Sequence, residues 1–144
     1  MVDVFVVIGD PNAHKTSTIR ALTGVHQVTP KWDVWYVPEG SLATYVYPSG
    51  LQEGGVPPDR FISMVARQGV GRVIVALRYD PARTCPRAAD YLIAFQEAGW
   101  NVKHAVLGPR PPLQGFASGI GVPNAPQMPS NEIAGHLRAA WGIA

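Results

Sequence analysis

The chain has 144 residues, 47% of them apolar and 15% charged, with a formal net charge of +2. That length corresponds to one domain with its own core, and the apolar content excludes wholesale disorder. No apolar run reaches the roughly 18–20 residues of a membrane span, so no membrane association is expected. The lone Cys85 excludes an intrachain disulfide and a multi-cysteine zinc site. The opening MVDVFVVIGD lacks the basic start and cleavage site of a signal peptide, and the expected compartment is the cytoplasm.

Val2 to Ile8 is a nearly continuous apolar run, the pattern of a strand buried on both faces. After a turn at Gly9–Ala13, Lys15 to Thr23 has helical character, with Ile19 and Leu22 one turn apart and Gly24 placed to stop it. Asp33–Val37 and Leu42–Tyr47 flank Pro38-Glu39-Gly40 and read as a hairpin. Asp59 is placed to cap a helix to Gln68, closed by Gly69, with Phe61, Ile62 and Val65 on its apolar stripe. Arg72–Leu77 is a second buried-strand run. Thr84 offers the next cap and Pro86 the first turn of a helix to Ala98, with Tyr91, Leu92 and Phe95 inward. Val102–Leu107 reads as a further strand.

From Gly108 to Asn131, 10 of 24 residues are glycine or proline, which predicts a long loop of functional or mobile character. It includes Pro109-Arg110-Pro111-Pro112, either a rigid connector or a proline-rich ligand for an aromatic groove. Ser130 is placed to cap a last helix, 131–142, carrying Ile133, Leu137 and Trp141. Strands alternating with helices predict a single three-layer α/β/α domain around a mainly parallel sheet of about five strands.

The chemistry concentrates in VVIGDPNAHKTSTIRALTG, which runs strand, tight loop, helix. A helix start presents unpaired backbone N–H groups and the positive end of its dipole, so an anion is favoured there. Lys15 adds a point charge for phosphate, and Thr16 a hydroxyl for Mg²⁺. Gly9-x-x-x-x-His14-Lys15-Thr16 matches the Walker A spacing at three of four fixed positions, His14 standing where glycine is usual. The expected cradle is Gly9, Asp10, Asn12, Ala13, His14, Lys15, Thr16 and Ser17, with nucleotide and Mg²⁺ as cofactors and Thr16 as the metal ligand.

Read whole, GDPNAHKTSTIRALTG resembles the first box of Era-like and iron-transport-type GTPases, G-N-P-N-x-G-K-[ST]-[ST] followed by A-L-T-G. Gly9, Pro11, Asn12, Lys15, Thr16, Ser17, Ala21, Leu22, Thr23 and Gly24 match it. The resemblance implies a P-loop NTPase-like fold in which an antiparallel hairpin follows the first helix. Tyr47-Pro48-Ser49-Gly50 lies where that family carries D-x-x-G, with Tyr47 in the aspartate's place. Leu107-Gly108-Pro109-Arg110 lies where it carries N-K-x-D, and no N-K-x-D occurs in the chain, so guanine preference is not implied.

Asp10, Glu53 and Asp80 are the candidate acids for Mg²⁺ or water. Arg78, Arg83 and Arg87 surround one turn and could meet transferred phosphate. His26, His104 and His136 lack metal spacing and read as structural. Trp32, Trp35, Tyr36, Tyr45 and Tyr47 make the hairpin aromatic on both faces, which suggests either a buried sheet or a contact with a second copy or another protein. Eight basic residues against three acidic ones between Arg60 and Arg110 form a local surplus, but no nucleic-acid module accompanies it and no nucleic-acid partner is expected. The leading expectation is a nucleotide-binding protein with slow or no hydrolysis. The alternatives are a non-catalytic interaction module and a small nucleotide-dependent phosphotransferase.

Overall fold

The computed structural model describes residues 2–10, 13–23, 33–36, 43–116 and 119–142, and at 33–36, 43, 48 and 49 it describes the backbone alone. The two most apolar runs, β1 (Asp3–Gly9) and β4 (Arg72–Leu77), lie side by side at the centre of a six-stranded sheet. Outward from them run β3 (Ala43–Gly50) and β2 (Asp33–Tyr36) on one side, and β5 (Asn101–Leu107) and β6 (Gly119–Val122) on the other. Five strands are parallel, and β2 pairs antiparallel with β3 at one edge.

Central strands of a parallel sheet are covered on both faces, which is why their side chains are apolar throughout and not alternating. Val4, Val6 and Ile8 face the helices α2 (Pro58–Gln68) and α3 (Ala88–Glu97), together with Phe61, Val65, Tyr91, Leu92 and Phe95. Phe5 and Val7 face α1 (Lys15–Thr23) and α4 (Ser130–Trp141), together with Ile19, Leu22, Ile133, Leu137 and Trp141. The architecture is thus the three-layer α/β arrangement expected from the alternation of elements. No helix among the described residues is long and apolar enough to cross a membrane.

The stretch 108–131 differs from expectation. It holds β6, paired with β5 from His104↔Gly119 to Leu107↔Val122, and a 3-10 turn at Ala125–Gln127. Sequence pattern hides this strand because two of its four residues are glycines. The structure supplies the reason for one of them: a Cβ on Gly119 would stand 2.9 Å from both His104 Cε1 and Pro112 Cβ. Helix starts also differ. Neither Asp59, Thr84 nor Ser130 is a cap; the cap positions are Pro57, Arg87 and Pro129, all extended and without a side-chain cap bond. A proline at or beside the first helical position pre-sets φ and lacks the N–H that a cap would satisfy. Gly69 closes α2 in the left-handed conformation, as expected. Tyr45 and Tyr47 are buried core residues, Tyr47 in edge contact with Phe61 at 6.4 Å. Gly24, Trp32, the turn Pro38-Glu39-Gly40 and the side chains of Trp35 and Tyr36 lie outside the described residues, and with them the expected partner face of the hairpin.

Candidate functional site

β1 and β4 are neighbours, yet their exits lead to opposite faces of the sheet, β1 into α1 and β4 into α3. A crevice opens at such a switch point, outside the carboxyl ends of the strands. A cleft of about 490 Å³ lies at this edge, lined by Ala13, His14, Lys15, Thr16, Ser17, Glu53 and Arg78.

The loop out of β1 folds back tightly. A Cβ on Gly9 would stand 2.8 Å from Ala13 Cβ and 3.1 Å from the Leu107 carbonyl oxygen, so this position has no room for a side chain. The Ala13 N–H donates to Asp10 O (3.1 Å), and the Thr18 N–H to His14 O (2.8 Å), which starts α1. His14 has φ +64°, in the left-handed region that glycine fills freely. Its ring turns away from the loop, Nε2 lying 3.2 Å from Pro126 O. Histidine at this position therefore keeps the backbone path of a glycine and sends its side chain to the 3-10 turn.

Lys15 opens the helix with only 7% of its surface exposed. Its Nζ donates to Gly9 O at 2.9 Å and lies 3.6 Å from Glu53 Oε1. Burial pushes its pKa below the usual lysine value; Glu53 raises it again and Arg78 adds to the drop. Thr16 is half-buried and Ser17 exposed on the first turn, where helical N–H groups lack intrahelical acceptors. Of the expected cradle, Ala13 to Ser17 line the cleft, Gly9 holds Lys15 through its carbonyl, and Asn12 lies outside the described residues.

Glu53 comes from the turn after β3. That turn is stitched by Leu51 N–H to Ala76 O (3.2 Å), Gly54 N–H to Gly50 O (3.1 Å) and Val56 N–H to Leu51 O (2.9 Å). The carboxylate folds over Gly50, where a Cβ would meet Glu53 Oε1 at 3.0 Å. Its neighbour Gln52 points the other way and is fully buried. Gln52 Oε1 accepts from the Arg78 N–H (3.0 Å), while Nε2 donates to Arg78 O (2.9 Å) and Pro86 O (3.3 Å). One residue thereby pins both sides of the Arg78 backbone. Arg78 reaches the cleft, and its Nε is buried with no acceptor among the described residues.

The other candidates separate. Tyr47, in the place of the D-x-x-G aspartate, is turned into the core. Arg83 and Arg87 do not line the cleft with Arg78, Arg87 pairing instead with Asp90 at 3.5 Å. Asp10 is exposed and points to Arg110 (3.2 Å). Asp80 also faces Arg110, in a bidentate pair at 2.7 and 2.9 Å that holds its carboxyl below the usual range. His104 is fully buried: Nε2 accepts from the Leu113 N–H (3.0 Å), and burial lowers its pKa. Sequence reasoning missed Gln52 and Tyr79, which no spacing marks, and named Arg110 only within a proline-rich run, a basic surplus and the N-K-x-D place; their contacts here are long-range.

Among the described residues that line the cleft, Lys15, Arg78 and the helix start gather positive potential, opposed by the carboxylate of Glu53. An anion bearing several oxygens is the kind of ligand that such charges and N–H groups would suit. No family model, curated protein or solved structure matches the chain.

Proposed function

We propose that the chain binds the phosphates of a nucleotide in the Lys15 cleft, together with Mg²⁺. The supporting observation is a buried lysine amine at a helix start, set in a loop whose sixth position is left-handed and faced by the half-buried Arg78. Those are the features that a phosphate group uses: aligned N–H donors, a point charge and a forked cation. Among the described residues no three His, Cys, Asp or Glu side chains cluster to hold a metal by themselves. The cleft nonetheless suits Mg²⁺ carried by a nucleotide, since that ion keeps several waters and takes one or two protein oxygens besides phosphate. Thr16 and Glu53 supply oxygens of the right kind, and the ion would neutralise phosphate charge beside Glu53. Lys15 would exchange its Gly9 carbonyl for a phosphate oxygen.

Hydrolysis would be slow, below the ordinary enzymatic range of about 1–10³ s⁻¹, because Glu53, the acid in the cleft, is engaged with Lys15. Thermal unfolding with Mg²⁺ and ATP, GTP or GDP tests the proposal. Ligand at about 100 times its dissociation constant adds about 2.7 kcal/mol. Unfolding entropy of about 2.1 cal/mol/K per residue gives about 0.3 kcal/mol/K for this chain, hence a rise near 9 °C. The rise should vanish in Lys15→Ala; no rise with any nucleotide refutes the proposal.

The internal engagement of Lys15 by Gly9 O and Glu53 favours a second reading, a scaffold that keeps this loop for its own stability. Under it, Lys15→Ala lowers the midpoint without ligand and nucleotides change nothing.

A further inference from the structure

Arg110, on the segment after β5, reaches across the carboxyl end of β1 to the residues after β4. Its guanidinium lies 3.8 Å over the Tyr79 ring centroid. Nη1 donates to Asp10 Oδ1 (3.2 Å) and Asp80 Oδ2 (2.7 Å), and Nη2 to Asp80 Oδ1 (2.9 Å). The ring beneath is itself anchored, Tyr79 Oη donating to Pro111 O at 3.1 Å. Exposed carboxylate pairs contribute little to stability, so holding the fold together accounts poorly for this assembly. What it achieves is orientation. An arginine side chain that normally samples many rotamers is fixed flat, with Tyr79 on one face and carboxylates along its edge. The side chain as a whole keeps 37% of its surface exposed.

The position ties this plane to the cleft. Tyr79 follows Arg78, which lines the cleft, and Asp10 follows Gly9, whose carbonyl accepts from Lys15. The stack therefore borders the cleft without lining it, one residue from Arg78 and, through Asp10, one residue from Gly9. A fixed guanidinium face attracts planar heterocycles by stacking and cation–π interaction, and it does so for every base, because each has a π face.

We propose that the Arg110–Tyr79 stack is the platform on which the base of a bound nucleotide lies, so that the site takes nucleotides with little preference among bases. This rests on the phosphate reading above, and the test separates the two. Dissociation constants are measured by calorimetry for Mg²⁺ complexes of ATP, GTP, CTP and inorganic tripolyphosphate, with wild type, Arg110→Lys, Tyr79→Leu and Lys15→Ala. Tripolyphosphate reports the cradle alone. Wild type should bind each nucleotide about 5- to 150-fold more tightly than tripolyphosphate, the range that base stacking supplies. ATP and GTP should agree within about threefold. Arg110→Lys keeps the charge but loses the plane, and should reduce that margin to about threefold or less while tripolyphosphate affinity stays within about threefold of wild type. Tyr79→Leu should shrink the margin in part. The platform is overturned if the margin survives in Arg110→Lys, if tripolyphosphate weakens as much as the nucleotides do, or if one base is preferred more than tenfold. Absence of tripolyphosphate binding by wild type overturns the phosphate reading, and the platform with it.

Discussion

Gln52→Leu tests the framework of the cleft. The native side chain makes three hydrogen bonds, at 3.0, 2.9 and 3.3 Å, and has no exposed surface. Leucine fills nearly the same volume, so the change leaves no large cavity and isolates the polar loss. It strands three groups, the Arg78 N–H and C=O just past β4 and, at the longest of the three bonds, the Pro86 C=O. A buried group without a partner costs about 1–3 kcal/mol, so these partly buried ones should cost about 2–4 kcal/mol together. At about 0.3 kcal/mol/K for 144 residues, that lowers the midpoint by about 7–13 °C. Gln52→Glu sharpens the test. Glutamate can still accept from the Arg78 N–H, but it sets a carboxylate against the carbonyls of Arg78 and Pro86, where the amide donates. It should therefore be less stable than Gln52→Leu at pH 7 and recover part of the difference as the pH falls and the carboxyl protonates. Urea titrations at pH 7 and pH 5, followed by circular dichroism, measure both. A Gln52→Leu variant within about 1 kcal/mol of wild type, or Gln52→Glu equal to it at pH 7, refutes the clamp.

Three further outcomes are expected. Gly9→Ala brings a Cβ to 2.8 Å from Ala13 Cβ and should cost about 1–3 kcal/mol by overpacking, read as a lower unfolding midpoint together with weakened tripolyphosphate binding. His14→Gly removes a left-handed penalty of about 1–2 kcal/mol but loosens the unfolded chain by about 0.5–1 kcal/mol; stability within about 1 kcal/mol of wild type, with phosphate affinity at least retained, is the expected result of denaturation and calorimetry. His104 is held neutral by burial and its pKa is lowered, so the unfolded chain binds a proton more readily than the fold does. Its contribution is complete above the unfolded histidine value near 6.5 and is lost as the pH falls below it. Stability between pH 7.5 and pH 5 should fall less steeply in His104→Leu than in wild type, and identical slopes would discount the residue.

Periodicity and composition made much of the layer structure legible. Val2–Ile8 and Arg72–Leu77 announce central strands because both of their faces are covered, and Ile133, Leu137 and Trp141 announce the inward stripe of α4. The path from strand to turn to helix that brings Lys15 to the start of α1 was equally readable, being local in sequence. What stayed hidden depends on distant contacts. β6 is invisible to propensity because Gly119 answers to His104 and Pro112, not to its chain neighbours. Glu53 could be named as a candidate acid, but its pairing with Lys15 follows from a turn stitched to β4. The three arginines near one turn looked convergent, yet backbone geometry sends only Arg78 to the cleft. Arg110 sat inside a stretch that composition marks as loop, and its partners come from two other strand ends.

The placement of β1 bears on how the molecule assembles. Asp3 is flanked by Arg72 on one side and Asn101 on the other, so the strand made early waits for partners that emerge far later. Until then Val4–Ile8 is an uncharged, β-prone segment with both edges open, the kind of stretch that pairs with other chains. Parallel pairing over such separations closes large loops before any contact rewards them, which makes for slow folding. The crevice between the ends of β1 and β4 exists only once β4 has come to lie beside β1, so a nascent chain should form the cleft only after that late pairing, and any ligand that fits it would favour the finished sheet over every partial one.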